Sequence, residues 1–270
     1  MIHIHESAFV DPGARIGAFT SVWHFCHVEV RALVGENCNL GQNVYIGNEA
    51  VVGNGCSLGN SVSVFSHVEL GDFVFCAPFM VFTHISFPRA AVNRRQVFKK
   101  TIVGTGATLG ANSTVLPGIT IGMGTFLAAG ATLTRSCKDW AMMVGSPARQ
   151  VGWASAYGDK IPLPLIGQGD WTCRHTGDAY TLDGETVTRR PGANDMLKYT
   201  FWREAGAADR RRLNRAGCGA LLRNEISTFF PGRRNFAKCR PVSPFAPQIG
   251  KANQEFSKCA SSLRPSSPAR

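Results

Sequence analysis

Residues 4–81 read IHESAF VDPGAR IGAFTS VWHFCH VEVRAL VGENCN LGQNVY IGNEAV VGNGCS LGNSVS VFSHVE LGDFVF CAPFMV, thirteen hexads in one phase. The first position is aliphatic in twelve of the thirteen, Cys76 being the exception, and the fifth is Ala, Thr, Cys, Val or Met throughout. If roughly a quarter of residues are aliphatic, chance gives such a run less than about once in a million trials. Five further hexads, VGTGAT LGANST VLPGIT IGMGTF LAAGAT, begin at Val103, for about eighteen in all. A repeat this short cannot hold a helix–turn–helix unit, but it suits one short strand and a tight turn. Three such sides close a coil of about eighteen residues, and about six coils stack into a triangular prism, an all-β parallel solenoid.

The repeat assigns each residue type a place. The aliphatic first position points into the prism and the small fifth position fits a crowded corner. Gly and Asn after the aliphatic residue are expected to supply the unusual φ/ψ values of the corners. Cys26, Cys38 and Cys56 all stand at the fifth position and read as small buried side chains. The nine cysteines (26, 38, 56, 76, 137, 173, 218, 239, 259) form no CxxC pair, which points to free thiols in a cytosolic chain. No apolar run approaches the roughly 18 residues that span a membrane. The N-terminus shows no basic-then-apolar signal, so a cytoplasmic location is expected.

A net charge of +11 suggests nucleic acid until it is located. Residues 1–188 carry 12 Lys+Arg against 13 Asp+Glu, whereas residues 189–270 carry 17 against 5. The surplus belongs to a tail rich in Arg, Pro and Ser, without aromatic interleaving, so no nucleic-acid partner is expected. Three parts follow: a solenoid over 1–137, a cap with a small hairpin (WTCRHTGDAYTL) over 138–188, and a basic, low-order tail over 189–270. Within the tail MLKYTFWREAGAADRRRLNRAGCGALL has the pattern of one amphipathic helix. The chain beyond about residue 190 is expected to be dispensable.

Phase is lost at Phe82 and returns at Val103, so residues 82–102 read as one long insertion. It carries Arg89, Arg94, Arg95, Lys99 and Lys100 and no acid. A long loop on a regular solenoid is usually functional, and a cationic one suits a phosphorylated ligand or a neighbouring subunit. A solvated surface loop is the alternative.

VWHFCHV, LGQNVYIGN, VFCAP-MVFT, PRA, GATLGANSTV and VGSPARQVGW together resemble a known family over residues 2–185. It is the hexapeptide-repeat nucleotide-sugar N-acetyltransferases, closest to those acting on UDP-2-acetamido-3-amino-2,3-dideoxyglucuronate. Relatives of these act on dTDP-3-amino-3,6-dideoxyhexoses. The resemblance implies a left-handed coil, against the usual right-handed rule for β crossovers. It also implies a homotrimer with sites between neighbouring prisms, acetyl-CoA as co-substrate without a metal, and a place in surface-polysaccharide biosynthesis. This chain departs from the family's residues at His84 and Phe87, where Asn is usual, at Phe79, where Ser is usual, and at Gly59-Asn60-Ser61. These departures bear on which sugar is bound.

Residues eighteen apart stack in columns. His24, Gln42 and Asn60 form one and Phe25, Asn43 and Ser61 the next, both outward-facing. Their amide and imidazole groups suit a base, ribose or sugar, or else form a ladder that supports the corner. His24, Gln42, Asn43 and Asn60, with Arg89 and Arg94 of the loop, are the candidate substrate-binding groups. The resemblance places CoA against Gly110, Ala111, Ala129 and Gly130, with Pro147 and Arg149 closing the C-terminal end. Small residues there admit close backbone approach; Arg149 suits a CoA phosphate, or a salt bridge to Asp139. His84, where the family positions its acceptor, is the candidate catalytic residue, able to orient the amine or take its proton. Cys173-x-His175 has no second pair, so no metal is assigned.

Two other readings are open. A γ-type carbonic anhydrase shares the fold but needs three zinc histidines at compatible positions, and no two of His24, His27, His67 and His84 are a multiple of eighteen apart. A catalytically inactive scaffold would share the hexads and the changed loop; acetyl-CoA binding separates it from an enzyme.

Overall fold

A computed structural model describes residues 1–93, 98–193, 195 and 197. Twenty strands of two or three residues run from His3–Ile4 to Thr132–Leu133 and divide among three parallel sheets, every third strand falling in the same sheet. The register is eighteen residues throughout the first coils: His3 pairs with Ser21, Phe9 with His27, Arg15 with Leu33. This is the three-sided, left-handed parallel β-helix of the hexads. Among the described residues there is no helix.

The first and fifth positions build the core. From Val22 through Leu133 every first-position side chain is buried, and so are the fifth-position residues from Thr20 onward. In the first coil Ile4 is exposed. Fifth-position polar groups bond within the corner in the lower coils, where Thr20 Oγ1 donates to Gly35 O at 2.7 Å and Cys26 Sγ to Gly41 O at 3.0 Å, whereas Ser113 Oγ is buried without a partner among the described residues. The four prism cysteines are buried free thiols, and burial pushes the Cys76 thiol up to about 12. They are structural, as their position implies.

The corners work differently from the expectation. The left-handed φ belongs to the fourth position of the hexad, not to the residue after the aliphatic one. Phe19, Phe25, Arg31, Asn43, Glu49, Phe73 and Phe79 all have φ between 56° and 63°. The turn requires that conformation. In two of the three corners, from Asn37 upward, the fourth-position N–H is locked to the coil before. Asn43 N–H donates to His24 O at 2.8 Å and Phe79 N–H to Asn60 O at 3.0 Å. The glycine after the aliphatic residue has another cause. A Cβ on Gly53 or Gly110 would lie 2.5 or 2.4 Å from backbone of the next coil, so only hydrogen fits.

The insertion is also shorter than its reading. Phe82 fills a first position and is fully buried, and Phe82 pairs with Val115 while Val68 pairs with Thr101. That offset is 33, which is 15 more than one coil. The hexad therefore reads Phe82-Thr83-His84, breaks, and resumes Lys100-Thr101-Ile102, with residues 85–99 inserted at one corner. An aliphatic-only rule for the first position rejects Phe82 and so misplaces the boundary. Lys100 closes the break through a 2.7 Å ion pair to Glu69.

After the prism a hairpin, Ala141–Gly145 with Ala148–Ala154, extends the first sheet, and Lys160–Ile161 adds to it. A separate antiparallel sheet follows, Gly167–Thr172, Ala179–Gly184 and Thr186–Arg190. The hairpin read from WTCRHTGDAYTL is its first two strands. Trp140, Trp153, Ile161 and Tyr180 form a second core beneath it.

The ordered cap runs past position 188. Arg189 donates to the buried Asp178 carboxylate at 2.9 Å, and also contacts Asp195, while Gly192 N–H donates to Asp178 at 2.7 Å. Burial alone would raise the Asp178 carboxyl; Arg189 and Gly192 overcome it and hold it below the usual range. Leu197 packs on the cap core. Residues 194, 196 and 198–270, with the amphipathic segment and most of the basic tail, lie outside the described residues. A chain ending at Leu197 is expected to melt like the full chain. One ending at Arg190 removes two partners of the buried pair and is expected to lose roughly 1–3 kcal/mol, read as a lower melting temperature. Because the Asp178 carboxyl is depressed in the folded state, its contribution is present above the ordinary carboxylate range and is lost as pH falls through the depressed value.

Candidate active site

Eight of the candidate residues stand on one edge of the prism. The corner joining the first and second sheets is built by residues 5–8, 23–26, 41–44, 59–62, 77–80, 110–113 and 128–131. His24, Gln42, Asn43 and Asn60 occupy its lower coils, and Gly110, Ala111, Ala129 and Gly130 its upper ones. Asn43 N–H to His24 O, Ser61 N–H to Gln42 O, Phe79 N–H to Asn60 O, Asn112 N–H to Pro78 O and Gly130 N–H to Ala111 O tie the edge into one column. The hairpin tip reaches its end: Ala128 N–H donates to Met143 O at 2.9 Å, and Ser146 Oγ to Thr132 Oγ1 at 2.8 Å. Pro147 and Arg149 thus close the same corner.

At six described third positions the N–H is bridged by a side chain about one coil away, and on this corner that happens at Gln42 alone. Asn60 Oδ1 accepts from Gln42 N–H at 3.0 Å, Asn54 from Glu36 N–H at 2.9 Å, and Asp139 from Met123 N–H at 2.7 Å. Asn60 is therefore part of a supporting ladder, with its amide NH₂ remaining. Elsewhere on this corner, among the described residues, the bridge is not made, neither at His24 and Asn60 nor in the turns above. Pro78 has no N–H, and Ala111 and Ala129 offer no side-chain acceptor to the coil beneath. Among the described residues the Ala111 and Ala129 N–H groups have no acceptor. Gly130, with φ of 67°, has nothing within 4 Å of where a Cβ would be. Two free donors on a bare edge suit the carbonyls of an extended amide-bearing chain. Arg149 donates to Ala148 O at 3.1 Å and has no carboxylate in ion-pair reach among the described residues; the alternative bridge to Asp139 is not made.

His84 is elsewhere. It stands at the corner between the second and third sheets, where the insertion leaves the prism, and Arg89 lies in that insertion. Its ring is half-buried between Phe65, 4.7 Å away centroid to centroid, and Phe98, edge-on at 4.9 Å. Burial, and then the neighbouring His67, lower its pKa below 6.5, so the imidazole is neutral at pH 7. Among the described residues neither ring nitrogen has a hydrogen-bond partner. The hexad pattern does not single out Phe65, His67 or Phe98; the one signal is a ring at Phe65 in a second position that usually holds Gly. Arg89 is exposed and donates to Pro88 O. Lys100 is taken by Glu69, and Arg94 lies outside the described residues.

Hexapeptide models match twice: "Bacterial transferase hexapeptide (six repeats)" over residues 100–135 and "Hexapeptide repeat of succinyl-transferase" over residues 31–66. The dTDP-3-amino-3,6-dideoxy-alpha-D-galactopyranose 3-N-acetyltransferase of Aneurinibacillus thermoaerophilus is 38% identical over 161 residues, 58% of this chain and 83% of that enzyme. The chain belongs to the hexapeptide-repeat nucleotide-sugar N-acetyltransferases. Solved structures similar to this acetyltransferase include a mutant of GDP-perosamine N-acetyl transferase from Caulobacter crescentus, in complex with CoA and GDP-perosamine. It is 23% identical, with a TM-score of 0.37, covering 56% of each chain. A mutant of AntD, an N-acyltransferase from Bacillus cereus in complex with dTDP and coenzyme A, is 19% identical with a TM-score of 0.40. That match covers 56% of this chain and 80% of the other. Among the described residues no group of three or more His, Cys, Asp or Glu is placed to hold a metal.

Proposed function

We propose that this acetyltransferase moves the acetyl group of acetyl-CoA to the amine of a nucleotide-linked amino sugar, as a cytoplasmic homotrimer serving surface-polysaccharide biosynthesis. The observation that carries the reading is the single corner whose lower coils present amide and imidazole side chains and whose upper coils present small residues with the Ala111 and Ala129 N–H groups free among the described residues. The pantetheine amides of the donor lie against Ala111 and Ala129, its phosphates toward Arg149, and the acceptor along His24, Gln42, Asn43 and Asn60. The amine nitrogen attacks the thioester carbonyl carbon, the C–S bond breaks, and the sulfur leaves as CoA thiol after taking a proton. The amine loses its proton to His84, whose lowered pKa keeps it neutral and ready to accept.

His84 and this corner lie on opposite sides of the second sheet of one chain. A site that uses both is completed by a neighbouring prism, and this favours the trimer over a monomer. Arg89, in the loop beside His84, then serves the diphosphate across the same boundary; the part expected of Arg94 falls outside the described residues.

The test is incubation with acetyl-CoA and a panel of UDP- and dTDP-linked amino sugars. Mass spectrometry is expected to show a gain of one acetyl group on an acceptor bearing a free amine. Failure to bind acetyl-CoA by calorimetry would support the inactive-scaffold reading instead.

A further inference from the structure

Phe79 stands one coil above Asn60 and Ser61 and one coil below Ala111 and Asn112. Adjacent coils are spaced like paired strands, about 5 Å apart. This is where the acceptor half of the corner meets the donor half. Its backbone is held at φ 63°, the ring is 60% exposed, and among the described residues no other ring packs on it. Phe25, 63% exposed, stands three coils lower on the same column. Asn43 and Ser61 lie between the two rings.

The turns of this corner hold no Lys or Arg, Arg149 lying beyond their upper end. The seven read HESA, WHFC, GQNV, GNSV, APFM, GANS and AAGA, with one acid, Glu6. A nucleotide-linked sugar lying along it, amine toward the thioester, brings its pyranose ring to the coil of Phe79. The substituent at C5 then decides the fit. The methyl group of a 6-deoxyhexose and the ring C–H bonds pack on the phenyl face. A hexuronate carboxylate would be desolvated against that face with no Lys or Arg in the neighbouring turns to pair it.

We propose that Phe79 is a specificity-determining residue that selects an acceptor with an apolar C6, a 3-amino-3,6-dideoxyhexose, over the corresponding 3-amino hexuronate. The inference rests on the acetyl-transfer reading above and names the acceptor class of that same site. It is tested with the full chain, acetyl-CoA, and two acceptors on the same nucleotide that differ only at C6. The wild type is expected to favour the 6-deoxy sugar by about tenfold or more in kcat/KM. Phe79→Ser is expected to lower that ratio about tenfold with CoA affinity unchanged, and Phe79→Asn, which takes a residue already used at Asn43 on this column, to do the same. A wild-type preference for the hexuronate, or a ratio unmoved in both variants, overturns the role of Phe79 and leaves acetyl transfer standing. No transfer to any amino sugar overturns the underlying reading, and this inference with it.

Discussion

Val52→Asp is expected to abolish the cooperatively folded protein. Val52 is a first-position residue, 2% exposed, paired in register with Val34 below and Leu70 above. The prism interior around it is apolar, so a carboxylate there has neither water nor a cation nor a hydrogen-bond donor. Neutralising or exposing it costs on the order of 5 kcal/mol, comparable with the whole stability of an ordinary domain. In a solenoid the damage spreads, because each coil is the template for the next. Leu33→Asp is the control: it is an outward sixth-position residue of the same sheet, 41% exposed and beside Arg15. It is expected to melt within about 0.5 kcal/mol of wild type. A soluble Val52→Asp protein with an unchanged melting curve would contradict the hexad register.

The register is legible because one physical demand, an apolar side chain pointing inward every six residues, acts on one position and shows in residue type. The corner conformation is not. Phe19, Arg31, Glu49 and Phe73 carry the left-handed φ, and none of these types advertises it. The assembled coil imposes that conformation, so it does not follow from local preference. Phe82 shows the converse. A rule about residue type excludes a large ring from the inward position, although the space inside admits it. The site is half legible. The eight corner residues fall in columns that the sequence spacing predicts, but the unbridged N–H groups of Ala111 and Ala129 depend on what a side chain one coil away fails to do. His84 stands one hexad beyond a whole number of eighteen-residue coils from His24, which puts it one corner further round the prism. That arithmetic is available from the sequence alone, and it is the reason the proposed site draws on a neighbouring prism.

His84→Ala is expected to lower kcat/KM by roughly 10²-fold, the usual scale for loss of a general base. CoA affinity is expected to hold, because the donor half of the site is on the other corner. The ring also packs between Phe65 and Phe98, so a melting curve must accompany the kinetics, and a small fall in melting temperature is compatible with the role. pH separates chemistry from packing. The folded pKa of His84 lies below 6.5, through burial and the neighbouring His67. The imidazole is therefore competent at neutral pH, and kcat/KM falls as pH drops through that lowered value. The variant is expected to lose this acidic limb and to keep any limb set by the acceptor amine itself, which titrates at higher pH. His84→Asn distinguishes the two ways a ring here can act. An amide can orient the amine but cannot take its proton, so a base role makes Asn as slow as Ala. Near-wild-type activity in Asn, with the acidic limb gone, would reassign His84 to positioning. Full activity in Ala, measured on the true acceptor, would leave it an ordinary corner residue beside the insertion.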